Sequence, residues 1–230
     1  MTDRPINFSA PMVLALMAGA KTQTRRVVMD AAEIARGPWT GPARRHESGD
    51  WQVRVQTYNS WKTLPVRYAV GDRLWVREAY YQSGHWEPQQ ALTKGGAQKW
   101  AFVAADDLVR FDAPESFRKA MDRKDPATVA WHKRLGRFMP RWASRATLHV
   151  TDVRVERLND ISPDDAEAEG LWRGLVNRHL FWRNAAECRF LEGRSHEAVF
   201  ADLWDSINGD GAWAENPWVV ALTFKAEVER

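Results

Sequence analysis

Residues 145–158 read RATLHVTDVRVERL, and this stretch carries the longest strand signal in the chain. Apolar side chains alternate with polar ones through its first half, at Ala146, Leu148 and Val150. That period of two is typical of a strand with one buried face. The alternation slips at Thr151-Asp152 and then resumes, which predicts a β-bulge. A strand of this length needs partners, so we expect the fold to be organised around a sheet.

The remaining segments supply both strands and helices. Shorter strand patterns occur at Val27-Val28, Trp51–Val55, Leu74–Val76, Lys99–Ala104 and Trp218–Phe224. Capped, periodic segments predict helices over Ser9–Ala18, Ser162–Gly170 and Ser195–Ile207, the last with Val199, Phe200, Leu203, Trp204 and Ile207 on its buried face. We expect residues 30–50 to form an irregular loop and residues 112–140 to be partly helical. Strands dominate without a βαβ rhythm, so the predicted fold class is α+β, on a mixed or antiparallel sheet.

The composition favours a globular protein without a metal site. The chain has 230 residues, of which 44% are hydrophobic, enough to bury a core. A single cysteine, Cys188, excludes an internal disulfide framework, and the six histidines contain no HxxxH pair. We therefore expect neither a metal nor another cofactor. The 25 Arg, 8 Lys and 13 Trp lean toward nucleotides, because guanidinium groups suit phosphates and flat rings stack on bases.

The N-terminal segment has some features of a signal peptide. Arg4 precedes the apolar run Met12–Met17, and Ala18-Gly19-Ala20 has the A-x-A form. Asp3, Pro11 and the lack of cysteine pairs favour a cytoplasmic protein instead. The apolar stretches are too short to cross a bilayer, so we expect no membrane partner. Nothing in the pattern indicates an obligate oligomer, and we expect a monomer.

The polar segment GAKTQTRR at residues 19–26 is the best candidate for a chemical site. The usual catalytic signatures, such as G-x-S-x-G, the P-loop, HExxH and the zinc deaminase pattern, are absent. Lys21 and Thr24 lie three apart, and a neutral lysine can deprotonate a threonine hydroxyl. This chemistry requires burial, or the cations Arg25 and Arg26, to lower the pKa of Lys21. The spacing alone favours the other interpretation, a solvated basic turn or a phosphate-binding loop.

Further candidates lie along the rest of the chain. Glu78, Glu167 and Glu169 follow strands or lie on the capped helix, and their spacing singles out none of them. A basic-aromatic cluster at 141–145, with Arg141 and Arg145 as its cations, either grips a phosphate or base or packs arginine on tryptophan. The second interpretation is the favoured one.

Five blocks of the sequence resemble the ASCH family, whose fold is the PUA-like β-barrel. Gly19–Arg26 resembles its G-x-K-x-x-T-x-R signature, and Gly71–Val76 resembles its G-D-x-L-x-V turn and strand. Thr147–Leu158 is similar to the next long strand, Ala166-x-x-Glu169-Gly170 to the following helix, and Val220–Lys225 to the terminal strand. The blocks keep the family's order and span roughly half of the chain. The pattern is especially similar to the longer, tryptophan-rich ASCH proteins of phages and prophages.

The resemblance implies a single ASCH domain over residues 1–230. Its fold would be a PUA-like mixed or antiparallel β-barrel with flanking helices and with insertions at about 30–65, 84–140 and 172–194. Small bacterial members are N4-acetylcytidine amidohydrolases that use a lysine, a threonine and a glutamate. Residue by residue, these fall on Lys21, Thr24 and Glu169, and the signature arginine falls on Arg26.

The resulting hypothesis is an amidohydrolase that removes the acyl group from N4-acylated cytosine nucleosides or bases. The residues expected to bind substrate are Arg25, Arg26, Trp75, Glu78, Arg141 and Arg145. ASCH domains were first proposed as RNA-binding modules, so the alternative is a non-catalytic module for RNA or a modified nucleotide. A ribonuclease is a third and less favoured hypothesis. The expected partner is a small nucleoside or nucleobase, with RNA as a second possibility.

Overall fold

The computed structural model describes residues 3–29, 39–55, 60–170 and 195–229, and over these ranges the chain is a strand-rich α+β protein. The strands are β1 Asp3–Asn7, β2 Gln23–Met29, β3 Trp39–Arg45, β4 Trp51–Val55, β5 Ser60–Thr63, β6 Arg73–Arg77, β7 Tyr80–Leu92, β8 Gln98–Arg110, β9 Ala130–Arg134, β10 Ala146–Arg157 and β11 Trp218–Val228. The α-helices are α1 Ala10–Met17, α2 Pro163–Ala168 and α3 His196–Asn208. The predicted α+β class, with strands dominating, is therefore confirmed.

The chain divides into two compact units. The first comprises Met1–Arg4, Pro11–Leu74 and Ala146–Arg230, and the second comprises Pro5–Ala10 and Trp75–Arg145. The insertion expected at 84–140 falls within the second unit. The insertion expected at 172–194 lies outside the described residues, as do parts of the one expected at 30–65.

The main sheet has five strands in the order β1-β6-β10-β11-β2. The long predicted strand is β10, and its antiparallel register with β11 shifts between Val150 and Asp152, so the predicted bulge is confirmed. Strand β11 also pairs with β2, which lies at the edge of the sheet. A smaller antiparallel sheet of the first unit has the order β3-β4-β5.

The cap predicted at Ser162 and the helix start predicted at Ser195 are both confirmed. The Ser162 hydroxyl accepts a hydrogen bond from the Asp165 backbone N–H and begins α2, and Ser195 does the same for α3. Helix α3 buries Val199, Phe200, Leu203 and Trp204 against the segment around Leu158. The prediction that Ile207 lies on this buried face is wrong, because its side chain is 53% exposed.

The second unit contains a three-stranded sheet in the order β8-β7-β9. Its small core is formed by Tyr80, Met139 and Ala143. The partly helical prediction for 112–140 is wrong: in this range the structure has strand β9 and a single 3-10 turn at Gly136–Phe138. The segment carries Pro114, Pro126 and Pro140, which remove backbone donors and restrict the preceding residues.

Two boundary predictions also need correction in the first unit. The irregular loop predicted at 30–50 contains β3, whose register with β4 shifts between Thr40 and Arg44 and so accommodates Gly41-Pro42. Strand β2 begins at Gln23 and not at Val27, which places most of the candidate site on a strand. Regular backbone therefore fixes the directions of Thr24 and its neighbours.

Candidate active site

The turn between α1 and β2 carries Lys21 back beneath the helix. Gly19 has φ of +73°, and the backbone N–H groups of both Ala20 and Lys21 donate to the Ala15 carbonyl, at 2.9 and 3.2 Å. Lys21 then forms an isolated antiparallel bridge with Glu169. The missing side chain of Gly170 allows this close approach, since a Cβ there would lie 3.2 Å from the Ala15 and Lys21 Cβ atoms. Two segments far apart in sequence are thus held together by backbone contacts.

Lys21 and Glu169 form a buried, hydrogen-bonded ion pair. The Lys21 Nζ donates to the Glu169 Oε2 at 2.7 Å and to the Glu169 carbonyl at 2.9 Å. The lysine side chain has no exposed surface, and that of the glutamate is 4% exposed. Burial lowers the pKa of Lys21; the Glu169 carboxylate opposes this effect and the cations of Arg26 and Arg25 add to it. The net direction, downward, is the one that a lysine base requires.

Arg25 joins Glu169 to two more carboxylates. Its side chain is fully buried, and its Nη2 lies 2.7 Å from the Glu156 Oε1 and 3.0 Å from the Asp165 Oδ2. Its Nη1 donates to the Glu169 Oε1 at 3.2 Å. Each oxygen of Glu169 therefore faces a different cation, Lys21 on one side and Arg25 on the other. This arrangement fixes the carboxylate and leaves Arg25 no exposed surface with which to meet a ligand.

Thr24 and Arg26 alternate along β2 with Gln23 and Arg25, so their side chains project from the other face of this strand. Thr24 is buried, and its Oγ1 accepts a hydrogen bond from the Arg26 Nη1 at 2.9 Å. A hydroxyl that accepts from arginine still has its own proton to donate. Burial lowers the pKa of Arg26 overall, and the Glu169 carboxylate opposes this effect. Electrostatically, then, the Thr24–Arg26 pair and the Lys21–Glu169 pair are coupled through Arg26.

The other four predicted site residues belong to the second unit. The Arg145 guanidinium donates to both oxygens of Glu78, at 2.8 and 2.9 Å, and its Cζ lies 3.8 Å from the centre of the Phe111 ring. Burial raises the pKa of Glu78, and the bonds from Arg145 oppose that rise. The Arg141 Cζ lies 5.7 Å from the centre of the Trp75 ring. These four residues pair with one another or with an aromatic ring, as arginines packed on aromatic side chains commonly do.

Several residues of the site were missed by sequence reasoning. Gln23 donates to the Asp165 Oδ1 at 2.7 Å, and Glu156 and Asp165 hold Arg25. Asp165 was noticed only as part of a helix cap. The sequence could have indicated that Gln23 and Arg25 act together, because side chains two residues apart on a strand share one face. Their partners come from β10 and α2, and no local pattern identifies such contacts.

Comparisons with protein-family models, with curated proteins and with solved structures found no match to this chain. Over the described ranges, no group of three or more His, Cys, Asp or Glu side chains is placed to hold a metal ion. None of the helices that the structure describes has both the length and the apolar character needed to cross a membrane.

Proposed function

We propose that the protein is an amidohydrolase that removes the acyl group from N4-acylated cytosine nucleosides or bases. The observation that carries this proposal is the pair formed by Lys21 and Glu169, a fully buried lysine with a lowered pKa bound to a carboxylate at 2.7 Å. Titratable groups perturbed by both burial and a specific charge are common in active sites. We also propose that the five-stranded sheet is the wall of a PUA-like β-barrel.

The proposed reaction begins at Thr24. Its Oγ1 attacks the acyl carbonyl carbon while its proton passes to the neutral amine of Lys21. The tetrahedral oxyanion accepts a hydrogen bond from Arg26, whose guanidinium already reaches the Oγ1. The C–N bond then breaks as the cytosine N4 takes up the proton from Lys21, directly or through Glu169. Water adds to the acyl-threonine, the carboxylic acid leaves, and the threonine hydroxyl is restored.

The Lys21–Glu169 contact gives the lysine a route for its proton. A neutral amine next to a protonated carboxyl and an ammonium next to a carboxylate differ only by movement of one proton across 2.7 Å. The second Glu169 oxygen is held by Arg25, so the carboxyl group keeps its orientation during this exchange. A variant in which Thr24 only orients an attacking water gives the same products without an acyl-threonine.

The burial of the cations supports catalysis over the alternative, a binding module. A module that grips a phosphate backbone needs cations that its ligand can reach. Lys21 and Arg25 have no exposed side-chain surface, so a ligand's phosphate groups cannot reach them. Burying two cations costs free energy, and a catalytic role accounts for that cost. Exposed arginines of the first unit, such as Arg45 and Arg67, can contact a phosphate, and an enzyme that acts on a nucleotide would use them in the same way.

The decisive experiment is to incubate the pure protein with N4-acetylcytidine and to follow the release of cytidine by chromatography. We expect turnover in the wild type and a loss of about a hundredfold or more in Lys21→Arg, Thr24→Ala and Glu169→Gln, since positioned proton transfer typically contributes 10²–10⁴-fold. Lys21→Arg tests the base itself, because a guanidinium keeps its proton near neutral pH. Thr22→Ala is the matched control, being exposed and two residues from Thr24.

Two outcomes would overturn the proposal. One is the absence of turnover on any N4-acylated cytosine, together with binding of RNA that weakens steeply with salt. The other is a Lys21→Arg variant that keeps most of the wild-type rate, which would make Lys21 an electrostatic anchor. Circular dichroism of each variant establishes that the loss is not one of folding. A Thr24→Ala, Lys21→Ala double variant little worse than either single one is expected of residues that act as a unit.

A further inference from the structure

A cleft of 380 Å³ opens in the first unit, outside the Lys21–Glu169 pair. Three arginines and two aromatic residues line it, together with an apolar patch that includes Val153; they are Arg4, Arg45, Arg67, Trp51 and Tyr68. A volume of a few hundred cubic ångströms is typical of small-ligand sites. Its combination of guanidinium groups and flat rings is one that suits a nucleotide.

The walls of this cleft are fixed by backbone hydrogen bonds. The Gly71 N–H donates to the Val150 carbonyl at 2.9 Å, and the Val150 N–H donates to the Asp72 carbonyl at 3.0 Å. The turn that follows Tyr68 is thereby attached to β10. On the other side, the β3–β4 hairpin is closed by a bond from the His46 N–H to the Asp50 carbonyl at 2.8 Å. The arginines at the rim are therefore carried on ordered backbone.

Sheet register places Thr24 on the face of the main sheet that also reaches the cleft. Val153 pairs with Leu222, and Leu222 pairs with Thr24, so these three residues form one row across β10, β11 and β2. Residues directly opposite one another in antiparallel strands project to the same face. Two strand spacings separate Val153 from Thr24, about 10 Å.

The three arginines of the cleft differ in their contacts and in their exposure to solvent. Arg4 is already engaged, because its Nη1 donates to the Arg67 carbonyl and its Nη2 lies 3.8 Å from the buried Asp72. Arg45 and Arg67 are exposed at the rim. The carboxylate of Asp50 accepts a bond from the Ser48 hydroxyl at 2.8 Å. The rim thus offers two exposed cations for an anionic group on a ligand.

A second cleft of 510 Å³ provides a contrast. It lies between the α1–β2 turn and α2, and its lining contains Asp164 and Glu167 with no lysine or arginine. No cation among the described residues of that lining balances its two carboxylates, whereas Asp50 and Asp72 of the 380 Å³ cleft share its lining with three arginines. Of these two clefts, only the one with Arg45 and Arg67 has a charge that suits a phosphate.

We infer that the 380 Å³ cleft is a subsite for a phosphate group attached to the ribose of the substrate, held by Arg45 and Arg67. This inference rests on the proposed function and makes the preferred substrate a nucleotide rather than a free nucleoside. The base would lie toward Thr24 and Tyr68, and the phosphate at the rim. The phosphate is either the monoester of a mononucleotide or the diester of a strand.

The test measures binding and turnover separately. Calorimetry gives the Kd of cytidine, of cytidine 5′-monophosphate and of an oligocytidine without terminal phosphates. Turnover is compared on N4-acetylcytidine and its 5′-monophosphate. The variant is Arg45→Ala/Arg67→Ala, and the matched control is Arg44→Ala. Arg44 is the exposed neighbour of Arg45 and lies over the Trp61 ring at 3.4 Å, outside the cleft lining.

We expect the wild type and the control to bind cytidine 5′-monophosphate about tenfold or more tightly than cytidine, the size typical of hydrogen bonds to a charged group. The double variant should lose that preference and keep its affinity for cytidine. Tight binding that extends to the oligocytidine assigns the subsite to strand diesters, whereas binding confined to the monophosphate assigns it to mononucleotides. Equal affinity for cytidine and its monophosphate, or a preference that survives the double substitution, would overturn the inference.

The two proposals fail in different ways. If neither acetylated substrate is turned over but the preference for phosphate is present and depends on Arg45 and Arg67, the amidohydrolase proposal fails and the subsite stands. If both substrates are turned over equally well, the amidohydrolase stands and the subsite fails. Thermal unfolding of the double variant shows whether it is folded, and little change is expected because both arginines are exposed.

Discussion

Replacing Arg25 by methionine is expected to destabilise the protein strongly. Methionine keeps much of the length of the side chain but removes the cation that faces three carboxylates. Glu156 and Asp165 are 17% and 16% exposed, and Glu169 is 4% exposed, so water can only partly compensate for the loss. Removing one partner of a buried ion pair typically costs about 3–5 kcal/mol. Because two of the carboxylates are partly solvated, we expect about 3 kcal/mol for Arg25→Met.

The matched control is Arg154→Met. Arg154 binds the same Asp165 oxygen, at 2.8 Å against 3.0 Å for Arg25, but its side chain is 41% exposed. Solvent screens such a pair, and its removal should cost no more than about 1 kcal/mol. Chemical denaturation measures both values, and for a chain of this length 3 kcal/mol corresponds to a fall of roughly 6–12 °C in Tm. Equal losses of unfolding free energy in the two variants, or a larger loss in Arg154→Met, would refute the view that burial makes the Arg25 ion pairs the more stabilising ones.

Three further outcomes follow from the geometry. In the proposed mechanism the neutral amine of Lys21 is the base, so turnover should rise with pH through the pKa of Lys21, with a midpoint below the ordinary value of 10.5. A rate that falls over that range would contradict this mechanism. Trp204→Ala should cost about 3–5 kcal/mol in chemical denaturation, and the exposed Ile207→Ala within about 0.5 kcal/mol. Burial opposes ionisation of Asp165, but hydrogen bonds from Arg154 and Gln23 lower its pKa overall. The ionised Asp165 therefore stabilises the fold above its ordinary pKa of 3.8, and this contribution is lost as the pH falls through the lowered pKa. Asp165→Asn should accordingly make the Tm less dependent on pH in the acid range.

Local patterns predicted the parts of the fold that local physics determines. The slip at Thr151-Asp152 predicted the bulge because a period of two cannot absorb an extra residue otherwise. Ser162 and Ser195 predicted the starts of two helices because a side-chain oxygen must satisfy the first free N–H groups. The apolar face of α3 followed from its spacing up to Trp204.

Errors arose where long-range contacts overrule local preference. The polar residues at the start of β2 did not look like a strand, yet they form one because carboxylates from β10 and α2 satisfy them on one face. The segment 112–140 is rich in charge, which suggested helix, but its prolines and its pairing with β7 produce strand β9. The Lys21–Glu169 contact spans 148 residues. The local segment made Lys21 a candidate, but Glu169 was singled out only through a family resemblance, and the contact itself came from the structure.

The position of β2 determines when the site can come into existence. This strand pairs with β11, and Thr24 lies opposite Leu222. A chain is synthesised from its N terminus at 5–20 residues per second, so Thr24 waits roughly 10–40 s for its partner strand to be made. During that interval β2 is an unpaired edge, the kind of surface that chaperones shield and that other strands can capture. The segment that holds Lys21, Thr24 and Arg25 is thus made early and completed last, so a nascent chain carries the proposed nucleophile before the partners that would complete the site have been made.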